Sequence, residues 1–178
     1  MSPQTGDVRV EIFGIGSAHG ADQVGWRVID YLQRIPDRLR STDRAYRLQS
    51  PMDLMAHAMA SELNSVSAWI IVDACLGSST GRIHTWRWAE LPKLDSQDDR
   101  TIGFRAISSH GFGLIEALQM GETLGVLPSV VWIYGLEVGE EPVGLDEGID
   151  WEPSEALHEA IARCAEEITT KETKHAKV

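Results

Sequence analysis

Residues 68–75 read AWIIVDAC, an unbroken apolar run that closes on an aspartate. A strand with one face in water alternates apolar and polar side chains. Here Ala68, Trp69, Ile70, Ile71 and Val72 follow one another, so both faces must be covered, as they are inside a parallel sheet flanked by helices. Residues 129–138, SVVWIYGLEV, have the same character. Two such strands in one chain leave little choice but a layered fold with helices on either side of a sheet.

The remaining segments supply the partners. Residues 8–13, VRVEIF, predict a short strand. Val24, Val28, Tyr31, Leu32 and Ile35 recur at helical spacing and predict a helix over Val24–Ile35, closed by Pro36. A second short strand is expected near AYRLQ, residues 45–49. Met52, Met55, Met59 and Leu63 predict a helix ending at Asn64, with the methionines as core. Residues 81–88, GRIHTWRW, alternate Ile83, Thr85 and Arg87 against His84, Trp86 and Trp88, the pattern of an edge strand with one exposed face. Residues 92–103 are polar and turn-rich and read as a mobile loop. Ser108 and Ser109 are suited to cap a helix running to about Leu124. Residues 139–153 form a long acidic loop, and Pro153 introduces a last helix over Glu155–Ile168.

Strand and helix therefore alternate, which predicts an α/β fold: a largely parallel twisted sheet of about five strands with helices on both faces, a three-layer sandwich. The 178 residues suffice for one domain over residues 8–168, preceded by a flexible stretch at 1–7 and followed by a disordered tail at 169–178. The formal charge of −11 argues against nucleic acid, whose phosphates demand a concentrated basic surface. Arg34, Arg38, Arg40, Arg44 and Arg47 form one basic cluster, read as a solvated helix end or a docking patch for an acidic partner. No apolar run approaches the roughly 20 residues needed to cross a bilayer. The first residues lack a basic segment leading into an apolar one, so a cytoplasmic location is expected. Cys75 and Cys164 are too few for a disulfide framework and read as structural.

Ligands of such sheets sit beyond the carboxyl ends of the strands, which directs attention to three loops. The first, residues 14–25, reads GIGSAHGADQVG. Its GxGxxxG spacing is one residue longer than the dinucleotide fingerprint, and the following strand has no carboxylate at its end, so a nucleotide cofactor is not expected. The second opens at Asp73, aimed outward by the apolar strand before it. The third presents Ser108, Ser109 and His110. Carboxylate oxygen and imidazole nitrogen are suitable donors for a borderline divalent metal.

Taken in order, IFGIGSAHGADQVGWRVIDYL, WIIVDAC and ISSHGFGLIEAL resemble the hydrogenase maturation endopeptidases. That family shows a strand leading into GxGNxxxxDDGxG or a close variant, a strand ending in aspartate, and a serine–histidine segment opening a helix. VVWIYGLEVGEEPVGL resembles its later strand, which runs into a GIEP-like loop, and the resemblance spans about residues 8–168. It implies an endopeptidase that removes the C-terminal extension of a nickel–iron hydrogenase large-subunit precursor once nickel is in place. The metal would be carried by that partner. It further implies that the family's metal-recognising acid, aspartate and histidine fall on Gln23, Asp73 and His110, with Asp73 and His110 carrying the catalysis.

The chain departs from the family's pattern at Gln23, where an acid is usual, and at Ser17, where asparagine is usual. An amide oxygen still coordinates a cation, but it brings no charge and cannot serve as a base near neutral pH. Asp22 points about 100° away from position 23 on a regular helix and would need a changed turn to reach the same ion. His19 is a further candidate metal ligand, since a loop imidazole suits nickel or zinc. The alternative expectation is a maturation chaperone or scaffold that binds an immature metalloprotein subunit without cutting it. Trp86 and Trp88 would then serve as anchors, and residues 92–103 and 139–152 would border the cleft.

Overall fold

The computed structural model describes residues 9–35, 39, 43–60, 66–91, 113–141 and 150–175, with side chains to residue 170. Strands are β1 (Arg9–Ile15), β2 (Arg44–Leu48), β3 (Val66–Cys75), β4 (Ile83–Arg87) and β5 (Val130–Glu137). Helices are α1 (Val24–Arg34), α2 (Pro51–Ala60), α3 (Leu114–Leu124) and α4 (Glu155–His175), with single 3-10 turns at Ala21–Gln23 and Trp88–Glu90. The five described strands form one sheet in the order β2-β1-β3-β5-β4. The first four are parallel, and β4 runs antiparallel to β5 at the edge.

The sheet separates two cores, and alternation along β3 shows why. Ala68, Ile70, Val72 and Ala74 pack with Val24, Val28 and Leu32 of α1 and Leu157, Ile161 and Cys164 of α4. Trp69, Ile71 and Cys75 pack on the other face with Leu54, Met55 and Ala58 of α2 and Leu114, Ala117 and Leu118 of α3. Each large side chain removed from water in this way contributes ~1.5–3 kcal/mol. β3 needs apolar residues on both faces because it lies between β1 and β5 with helices above and below, as the run at 68–72 predicts.

Away from the loops, Glu11 on β1 is completely buried. It is tolerated because the Arg9 guanidinium (2.6 Å), His57 Nε2 (3.1 Å) and the Trp69 indole N–H (3.3 Å) surround its carboxylate. Within the basic cluster, Arg47 pairs with Asp30 of α1 at 2.9 Å. Arg38 and Arg40 lie outside the described residues. No described helix is long and apolar enough to cross a membrane.

Several boundaries differ from the sequence expectations. β1 runs on to Ile15. α2 buries Pro51, Leu54, Met55 and Ala58, while Met52 and Met59 face water. The methionine stripe is therefore not the core face. Small Ala58 and Gly121 of α3 let the two helices approach, and Met55 fills the contact near Gly121. The cap of α3 is Gly113, without a side-chain hydrogen bond among the described residues. Ser108 and Ser109 lie outside the described residues. α4 continues through residues 169–175, read as tail from the sequence, and the Thr169 and Thr170 hydroxyls donate to the Glu166 carbonyl. Trp88 belongs to a 3-10 turn rather than to β4, and Trp86 and Trp88 are half-buried against the second core rather than exposed. The expected flexible stretch at 1–7, the loop at 92–103 and residues 142–149 of the acidic loop fall outside the described residues.

Candidate active site

β1 has β2 on one side and β3 on the other. The chain leaves β1 through α1 toward β2, then returns through α2 to β3. The carboxyl ends of β1 and β3 therefore diverge at a topological switch point, the place where open α/β sheets bind ligands. Both the glycine loop and Asp73 lie at this point.

The glycines of the loop work through closeness of approach. A Cβ on Gly25 would stand 2.3 Å from the Ile15 carbonyl oxygen and 2.8 Å from that of Val72, inside van der Waals contact. The first turn of α1 is thereby held against the ends of both strands. Gly20, with φ 52°, turns the chain into the 3-10 turn. There the Asp22 N–H donates to the His19 carbonyl (3.2 Å) and the Gln23 N–H to the Gly20 carbonyl (3.1 Å). These amides are consumed inside the turn and do not cradle a phosphate.

Asp73 pairs with Gly135 of β5 and alternates onto the face of Ile71 and Cys75. It is buried at 2% exposure. Its Oδ1 accepts the Ala74 N–H at 2.8 Å, while Oδ2 is buried with no hydrogen-bond partner among the described residues. Burial, and then the nearby charge of Asp22, push its carboxyl well above the usual carboxylate range, against a smaller opposing effect of the Ala74 N–H. Asp22 is itself buried, and Ser17 Oγ donates to its Oδ2 at 2.7 Å. Two desolvated carboxyls that repel one another, one with an orphaned oxygen, are relieved by a shared proton or by a cation.

Asp22, one position before Gln23, is the acid whose charge acts on Asp73. Gln23 is buried beside it and donates from Nε2 to the Ala18 carbonyl at 3.3 Å. His19 is half-buried in the same loop. Among the described residues no three His, Cys, Asp or Glu side chains gather into a metal site. His110 lies outside the described residues. The carboxyl oxygens of Asp22 and Asp73, with the amide oxygen of Gln23, are the donor types present for a cation.

One further group escaped the sequence reading. Glu137 ends β5 as Asp73 ends the apolar part of β3, the same signal of an acid closing a buried strand. Its Oε1 lies 2.5 Å from His84 Nε2 and its Oε2 accepts the Ser79 N–H at 2.9 Å. Burial acts to raise its carboxyl, but the hydrogen bonds from His84 and Ser79 and the charges of His84 and Arg82 outweigh it and hold it below the usual range. Cys75 faces the same side, and burial followed by the charges of Glu137 and Asp73 pushes its thiol up to about 12. Such a thiol is not a nucleophile, in keeping with a structural cysteine.

No family profile matches the chain, and no curated protein is similar to it in sequence. Solved structures are similar over nearly its whole length. The hydrogenase maturating endopeptidase HybD from E. coli shares 18% identity at a TM-score of 0.62, over 90% of each chain. The NiFe hydrogenase maturation protease HycI from Thermococcus kodakarensis shares 23% identity at 0.59, over 93% of this chain and 92% of that one. HybD from the same organism shares 18% at 0.62, over 96% of this chain and 100% of its own. The chain has the hydrogenase maturation endopeptidase fold. Within that fold, the Asp73 and glycine-loop segments that carry the sequence resemblance converge on one switch point.

Proposed function

We propose that the chain is a metal-gated endopeptidase that removes the C-terminal extension of a nickel–iron hydrogenase large-subunit precursor. The observation that carries this reading is Asp73, a buried acid with an orphaned oxygen at the switch point of this fold, opposed by a second buried acid, Asp22. Nickel arrives as part of the substrate. Asp73 and Asp22, with the Gln23 amide oxygen, recognise it, and His110 supplies the imidazole that the sequence resemblance assigns to the site. Once the precursor is docked, the carboxyl pair holds the metal-bearing segment and the burial of the site excludes bulk water. Asp73 then has an oxygen available to hold or pass a proton at the scissile bond.

Nickel-loaded and nickel-free precursor from the same organism, incubated with the chain and weighed by mass spectrometry, test the proposal. Loss of a C-terminal peptide from the loaded form alone is expected, and an intact loaded precursor refutes it. One observation favours a second reading, binding without cleavage. Gln23 offers an uncharged oxygen where the resembling family has an acid. In that case the intact precursor co-purifies with the chain.

A further inference from the structure

The geometry points to a subsite built by His84, Trp86 and Glu137 that holds the substrate polypeptide beside the bond to be cut, an inference that rests on the endopeptidase reading. Asp73 and His84 both pair with Gly135, one from each neighbouring strand. The three residues form a single row on one face of the sheet, since directly paired residues point to the same side. With strands ~4.8 Å apart, the row spans ~10 Å from Asp73 to His84, about three residues of extended chain. Gly135 contributes no side chain, and Trp86 takes its place. A Cβ there would stand 2.9 Å from the indole Cζ3. His84 stacks on the Trp86 ring at 5.3 Å and 8° between planes. The result is a flat aromatic floor that begins at the candidate active site.

The polar part of the subsite is set from beneath. Glu137, 6% exposed, is fastened by the Ser79 N–H and grips His84 Nε2. An ionised carboxylate only accepts, so Nε2 carries a hydrogen toward Glu137 and Nδ1 is the ring nitrogen left for a further partner. The His84 side chain is 28% exposed. A partly exposed imidazole stacked on a flat ring floor suits an extended peptide. One of its main-chain polar groups pairs with Nδ1 and an apolar or aromatic side chain lies on Trp86.

The test uses the whole chain with 15N-labelled histidine and a synthetic peptide spanning the cleavage region of the precursor. Adding peptide shifts the His84 Nδ1 resonance, and an unmoved resonance overturns the subsite. His84→Ala, checked for folding by its melting curve, weakens the peptide roughly tenfold, as expected for one lost hydrogen bond with its ring contact. Replacing the residue expected on Trp86 with aspartate weakens it further. Equal affinity for His84→Ala and the parent also overturns the subsite. The two proposals fail separately. If the loaded precursor stays intact while the peptide still moves His84, the endopeptidase reading falls and the subsite stands. If the precursor is cut with the same KM by His84→Ala and the parent, the subsite falls and the endopeptidase stands.

Discussion

Asp73 destabilises the fold that holds it, since a carboxyl oxygen without a partner loses its hydration on burial and faces Asp22 besides. Asp73→Asn removes the charge at nearly constant shape. Its expected effect is to abolish cleavage of the loaded precursor while raising unfolding free energy by roughly 1 kcal/mol, read from paired activity assays and urea melts. Gln23→Glu has the opposite profile. A third carboxylate beside Asp22 and Asp73 lowers the stability of the isolated chain, yet it restores charge toward a substrate-borne cation. Cleavage should rise about tenfold, which corresponds to ~1.4 kcal/mol of added transition-state stabilisation, measured as initial rate on nickel-loaded precursor. An unchanged rate would mean that position 23 does not contact the metal.

At the level of elements, the β1–α1 connection and the end of α3 use glycine for different reasons, and substitution separates them. Gly25→Ala drives a methyl into the Ile15 and Val72 carbonyls. A loss of about 3 kcal/mol or more is expected, together with displacement of Gln23 and Asp22. Gly125 ends α3 in the left-handed region, φ 67°, with nothing within 4 Å of an added Cβ. Gly125→Ala therefore costs only about 1 kcal/mol of backbone strain, and cleavage is unaffected. Thermal melts of the two variants check the ranking. The strands and α1 were legible because burial on both faces and helical spacing are local patterns. α2 was not, since the choice between its methionine stripe and the Leu54–Met55–Ala58 stripe depends on what α3 brings against it. The extension of α4 was missed because its last residues are polar, and polarity alone does not end a helix.

Across the whole molecule, the two perturbed acids tilt stability with pH in opposite senses. Glu137 is held below the usual range, so its contribution is complete above the unfolded carboxyl pKa and is lost as pH falls through its folded value. Asp73 is raised, so the folded state keeps a proton that the unfolded chain releases. Its effect lowers stability as pH rises from the unfolded pKa through the folded one. Glu137→Gln should flatten the acid limb of the stability curve and Asp73→Asn the decline above it, seen in urea melts between about pH 3 and about pH 8.

Along the chain, the amino-acid order was enough for the α/β sandwich, the two buried strands and the edge placement of residues 83–87, because each rests on neighbours within one element. The charge that Asp22 exerts on Asp73 depends on a 3-10 turn that follows Gly20 and packs against the ends of β1 and β3. The grip of Glu137 on His84 joins residues 53 positions apart through an antiparallel register. Those partners meet only when the sheet closes, and no local spacing records which side chains a distant strand will set beside them.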